Sequence, residues 1–169
     1  MSIITRAWLA FAAIGAGLIH VALTIGMPAA VAVPLAVIGA AEFGWGVIVF
    51  ARTTVPVPRI AIAVALTPIV LWAALLIASA VPEGLGLLPV AIASLFGLFV
   101  VAILGRHLRR DPVVDAPTPA LPRYLLSVLA GGALIAALAA PALAATTAGQ
   151  RGPSPATVSN LRDLFGHGH

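Results

Sequence analysis

Residues 6–52 read RAWLAFAAIGAGLIHVALTIGMPAAVAVPLAVIGAAEFGWGVIVFAR, and this run decides the fold. It holds two apolar stretches, Ala7 to Ile25 and Val31 to Ala51, each about the ~20 residues that a membrane-spanning helix needs. Gly26-Met27-Pro28 separates them, and Arg6 and Arg52 stand at the ends away from that break. A helical hairpin that crosses a bilayer twice and brings both basic ends back to one side has this pattern.

Working outward, three more apolar stretches follow: Ile60 to Ala80, Leu85 to Leu104, and Tyr124 to Ala145. Thr53-Thr54-Val55-Pro56-Val57-Pro58 divides the second from the third, Val81-Pro82-Glu83-Gly84 the third from the fourth, and a polar link from Arg106 to Arg123 precedes the fifth. The whole chain of 169 residues is 62% hydrophobic and 8% charged, with a mean hydropathy of +1.14. Soluble domains carry about a quarter charged residues. The expected fold is therefore all-α, a polytopic membrane bundle of five transmembrane helices arranged as two tandem helical hairpins plus a fifth helix over residues 1–145. A tail, 146–169, follows it.

Charge placement gives an expected orientation. All 9 basic residues are arginine. Arg6, Arg52, Arg59, Arg106, Arg109, Arg110 and Arg123 fall on one side of such a bundle, and the short opposite loops have none. The positive-inside rule then puts the N-terminus in the cytoplasm and, after five crossings, the tail outside. Arg151 and Arg162 in the tail are the exceptions. Arg106, His107, Arg109 and Arg110 form a cluster expected to face lipid headgroups. The sequence pI near 11.5 does not point to nucleic acid, because the arginines cap apolar segments and do not line one face. Arginine without lysine, with abundant Ala, Gly and Pro, suggests a GC-rich bacterial genome and hence a bacterial plasma membrane. The absence of cysteine excludes disulfides and thiolate chemistry. Arg6, the first apolar run and Ala30-Val31-Ala32 imitate a secretory signal, but the run is long enough to span, and it is read as the first helix.

A short internal repeat is visible. Val33-Pro34-Leu35 through Glu42-Phe43-Gly44 to Arg52 matches Leu88-Pro89-Val90 through Leu95-Phe96-Gly97 to Arg106. It equates Glu42 with Leu95 and His20 with Ala73 or Ala74, which leaves the polar groups in the first hairpin only.

Glu42 is the most informative residue. An ionised side chain near the middle of a spanning helix costs about 2.5–3.5 kcal/mol, so it should face protein or water. His20 is its expected partner. At about 1.5 Å per residue, His20 lies roughly 10 Å and Glu42 roughly 18 Å from the outer ends of their helices, so a direct bond requires stagger or tilt, and a bridging water is the alternative. The pair could be a proton-responsive site, a quinone or haem contact, a set of metal ligands, or an interhelical clamp, which in membranes is worth only ~0.6 kcal/mol on average. His20 and His107 belong at opposite ends, which argues against a bis-histidine haem.

In the tail, His167 and His169 with the terminal carboxylate could gather copper or zinc. Ser159 to Phe165 can form a short helix capped by Thr157 or Ser159, with Val158, Leu161, Leu164 and Phe165 as an apolar side for docking a partner subunit. Ala12/Ala16 and Ala40/Gly44, at four-residue spacing, permit close helix packing or oligomerisation. Trp8 and Tyr124, near helix ends, read as interfacial anchors, and the deeper Trp45 and Trp72 as pocket walls. No nucleophile triad, phosphate loop or converging carboxylate pair is present among the 5 acids.

With His20 following Gly15-Ala16-Gly17-Leu18-Ile19, and Gly39, Glu42, Gly46 and Arg52 along the second helix, the first four helices resemble the DoxX-like superfamily of small four-helix membrane proteins. The resemblance implies a four-helix core, and for some members a link to quinone-coupled sulfur oxidation, with Glu42 as the residue to carry over. The fifth helix and the histidine-ended tail depart from that pattern and resemble uncharacterised actinobacterial membrane proteins. The first functional expectation is a non-catalytic small subunit or accessory protein of a larger membrane complex, or a homo-oligomer, docking through its tail. The second is a quinone-linked redox component using His20 and Glu42. The third is an external metal-handling protein, and a transporter comes fourth.

Overall fold

The computed structural model describes residues 1–78, 81, 86–109 and 120–150. Those residues are helical with no strand: α1 (Ile3–Leu23), α2 (Ala29–Ala51), α3 (Pro58–Ile77), α4 (Leu87–Arg109), α5 (Leu121–Ala144) and a single turn, α6 (Thr147–Gln150). The first five are long and apolar enough to cross a membrane.

Local chemistry sets the ends. The Ser2 hydroxyl accepts a hydrogen bond from the Thr5 N–H and caps α1, so α1 begins a turn before the apolar run. Pro58 occupies the first turn of α3, where its missing N–H costs nothing. The fourth helix outlasts its apolar run: its last turn carries Arg106, His107 and Arg109. Hydropathy marks where a helix leaves an apolar solvent, whereas cationic side chains at a C-terminus favour one more turn through the helix dipole. Pro34, Pro68 and Pro141 lie inside helices, as spanning helices tolerate.

Helices α1 to α4 form a ring. Each packs on its two neighbours, α1 on α2, α2 on α3, α3 on α4 and α4 on α1, with no close approach of backbones across either diagonal. The α1–α2 contact is the most extensive and the α2–α3 contact the least within the ring. Helix α5 lies outside, against α1 and α4. Along its membrane-length window α1 is 61% buried and α5 only 17%, so α1 is the hub and α5 an added outer helix.

Arg6 Nη1 donates to the Thr53 carbonyl at 2.6 Å, and Trp8 Nε1 donates to the Ser127 carbonyl and Oγ at 3.2 and 3.0 Å. These bonds fix the starts of α1 and α5 and the end of α2 at one end of the bundle. Arg6, Arg52, Arg59, Arg106, Arg109 and Arg123 collect there. Trp8, expected as an interfacial anchor, also clamps α5, its indole lying against Gly131.

Glycine sets the register of α1 against α2. A Cβ on Gly17 would sit 2.5 Å from the Gly39 carbonyl oxygen, one on Gly39 2.9 Å from the Gly17 carbonyl oxygen, and one on Gly46 2.9 Å from the Ala10 carbonyl oxygen. Between helices in lipid, where no hydrophobic force drives association, such backbone approach is the main source of packing energy. The Ala40/Gly44 stripe takes no part in packing within the bundle, because Ala40 is exposed and a Cβ on Gly44 would meet nothing; of the two uses expected for it, this leaves oligomerisation. The helix contacts also realign the repeat. Gly97 approaches the Ala65 carbonyl oxygen as Gly46 approaches that of Ala10. Gly97 is thus the counterpart of Gly46, and buried Ala93, not the exposed Leu95, is the counterpart of Glu42.

Gly17→Ala should therefore lower stability by about 1–3 kcal/mol through overpacking, while Gly44→Ala should stay within about 0.5 kcal/mol of the parent. Thermal unfolding in detergent micelles, followed by circular dichroism, measures both. Equal effects would mean that the glycine register is not what holds α1 to α2.

Candidate functional site

The register just described brings the last turn of α1 level with the middle of α2. His20 Nδ1 and Glu42 Oε2 lie 2.6 Å apart, with the side chains 1% and 5% exposed. The bond is direct. Counting from each helix end separates the two residues because α2 begins well beyond the end of α1. Leu23 closes α1, and the turn through Gly26, at φ +88°, carries the chain past it before α2 starts.

His20 Nε2 and Glu42 Oε1 are buried and have no hydrogen-bond partner. A net charge in such surroundings is far more costly than a neutral pair. As a neutral pair, His20 and Glu42 together hold two protons. One occupies the Nδ1–Oε2 bond, and the second must sit on Nε2 or on Oε1. One of the two free atoms is then a donor and the other an acceptor. The two neutral arrangements, Nε2–H with Oε1 accepting and Oε1–H with Nε2 accepting, differ in the place of the outer proton as well as the central one, and both carry the same charge. Glu42 Oε1 can thus offer a hydrogen bond or accept one without ionising.

Glu42 also lines a cavity of about 150 Å3 at the centre of the four-helix ring. Ala13 and Ala16 of α1 and Gly97 and Val100 of α4 form its buried wall, and Ala41, Trp45, Val57, Ile60, Ala61, Val64 and Ala65 complete it. The wall is apolar apart from Glu42, and His20 stands behind that carboxyl, outside the lining. Trp45 is on the wall as expected, its Nε1 donating to the Pro56 carbonyl at 3.0 Å. Trp72 is buried but belongs elsewhere in the core, and its Nε1 lacks a partner.

Sequence reasoning missed Val57. It adopts the left-handed conformation, φ 40° and ψ 54°, at the N-cap of α3. A β-branched residue is a genuine outlier there, and nothing in the sequence marks it. The small residues Ala13, Ala16 and Gly97 gave a faint signal, since cavities form where side chains are short, but their convergence needed the tertiary fold.

The remaining candidates are dispersed. Arg106, His107 and Arg109 are exposed at the end of α4, and Arg110 lies outside the described residues. His107 and His20 are at opposite ends of the bundle. His167, His169, Val158, Leu161, Leu164 and Phe165 also lie outside the described residues. Among the described residues no three His, Cys, Asp or Glu side chains gather as a metal site.

His20→Leu should cost about 2.5–3.5 kcal/mol, because it strands Glu42 in an apolar site. Adding Glu42→Leu should restore stability to within about 1 kcal/mol of the parent, since the clamp itself is worth little. A double-mutant thermal cycle in micelles reads this. Additive losses would show that the two side chains do not meet.

Comparison with known proteins adds no relative to this picture: no protein-family model, no curated protein and no solved structure matches the chain.

Proposed function

We propose that the chain is a multi-pass protein of a bacterial plasma membrane that binds the ring of a lipid-soluble molecule of the quinone class against Glu42. In this reading the arginine-bearing end faces the cytoplasm, following the positive-inside rule, and the segment after α5 faces outward.

One observation carries the proposal: a buried carboxyl with an unpartnered oxygen borders an apolar cavity of about 150 Å3. An engineered protein cavity of about that volume holds benzene. Drug-sized ligands fill pockets of roughly 300–1,000 Å3, so the space suits one six-membered ring and excludes larger bodies. A quinone presents a carbonyl when oxidised and a hydroxyl when reduced. The His20–Glu42 pair can meet either form, as donor to the first or acceptor from the second, with no change in its own charge. The resemblance of the first four helices to DoxX-like proteins points the same way.

Reduction requires an electron donor, which a partner protein would supply. The quinone reading thus joins the expectation of a small subunit in a larger membrane complex. The metal-handling and transport readings have no comparable support from the described residues.

The test uses 1,4-benzoquinone, a bare ring of the size the cavity takes, titrated into the purified protein in micelles. Saturable quenching of tryptophan emission, to which Trp45 contributes from the cavity wall, is the expected result. Glu42→Leu should weaken binding by about tenfold or more, the equivalent of one good hydrogen bond to a buried acid. Unchanged affinity in Glu42→Leu would discard the proposal.

A further inference from the structure

The cavity has one flank that the packing leaves open. The α1–α2 flank is shut by the backbone approach at Gly17, Gly39 and Gly46, and the α3–α4 flank by Gly97 against the Ala65 carbonyl. On the α1–α4 flank Gly15 meets the Phe96 ring, and α5 covers it from outside, Ile135 lying against the same glycine. The α2–α3 flank has the least extensive contact in the ring. The exposed members of the cavity lining all stand there: Ala41 on α2, Val57, and Ile60 on α3, the last two 54% and 61% exposed.

At the end of the cavity nearest the arginines the Trp45 indole holds the Pro56 carbonyl, and Val57, next in the chain, takes its left-handed conformation. A strained backbone persists only where its surroundings fix it, and such positions concentrate at ligand sites. Towards the other end, buried Leu35, Pro68 and Trp72 fill the ring.

From these closures we infer that the ligand is a tailed lipid that enters sideways between α2 and α3, its ring at Glu42 and its hydrocarbon tail in the seam between Ala41 and Ile60. This rests on the ring-binding reading above. A ring-sized cavity with an apolar side opening fits a molecule whose head is small and whose remaining bulk is hydrocarbon. A tail in the seam would cover the apolar lip formed by Ala41 and Ile60. Ala41 is the controlling residue, because its side chain on the α2 lip is a single methyl group.

Two probes separate the inference from the reading beneath it: the tailless benzoquinone and its decyl-substituted analogue. Both are titrated into the parent and into Ala41→Phe, which enlarges an exposed side chain on the lip of the cavity. Comparing variant with parent cancels partitioning of each probe into the micelle. The parent should bind both probes. Ala41→Phe should weaken binding of the decyl form about tenfold more than it weakens binding of the tailless ring. An equal effect of the substitution on the two probes would overturn the side entry, as would a parent that binds the ring but not its decyl form. If the parent binds neither probe, the ring-binding reading fails and the side entry falls with it.

Discussion

A carboxyl group in the middle of an apolar helix has to be met, and the organisation of this bundle follows from how Glu42 is met. His20 reaches it directly, at 2.6 Å, because α1 and α2 approach to backbone contact at Gly17, Gly39 and Gly46. Dispersion across that glycine seam holds the two helices together; the polar bond adds little stability and instead relieves a cost of about 2.5–3.5 kcal/mol that an isolated acid would impose. A larger residue at any of the three glycines would separate the helices and leave the acid stranded. The pair and the seam are in this sense one device.

The same economy of side-chain volume creates the cavity. Ala13, Ala16 and Gly97 let the four helices form a ring but do not fill its centre. Where the second hairpin has Ala93 buried at the position corresponding to Glu42, the first has a carboxyl. The ring is thus polar on one side of its centre and apolar on the other. Helix α5 takes no part in the lining. It braces the α1–α4 flank, tied down by the hydrogen bonds of Trp8 to Ser127, and so leaves α2–α3 as the flank without a brace.

Much of this was legible in the sequence, for physical reasons that can be named. Apolar runs of spanning length, broken at Gly26 and Pro28 and bounded by Arg6 and Arg52, have few other folds open to them, and the five long helices fall where those runs lie. Glu42 and His20 were legible because polar groups in such runs are costly and must find each other. Counting depth from helix ends showed that a direct bond needs stagger, but not how much, because register is fixed by side-chain size at the contact. The stripe at Ala40 and Gly44 left open whether it packs inside the bundle, since which face meets a neighbour depends on the partner. The partners of Trp8, Ser127 and Gly131, lie too far along the chain to be read beside it. Val57 carries no local signal, since a β-branched residue gives no reason to expect the left-handed region. The tail residues from Val158 to His169 lie outside the described residues.

Nitrogen NMR of the histidine rings tests the central bond most directly. One imidazole, assigned to His20 by its loss in His20→Gln, should show an Nδ1 proton shifted far downfield and slow to exchange with water, and Glu42→Leu should abolish that signal. A His20 ring that exchanges freely and is indifferent to Glu42→Leu would contradict the direct pair, and with it the register of α1 on α2 and the polarity-switching site built on it.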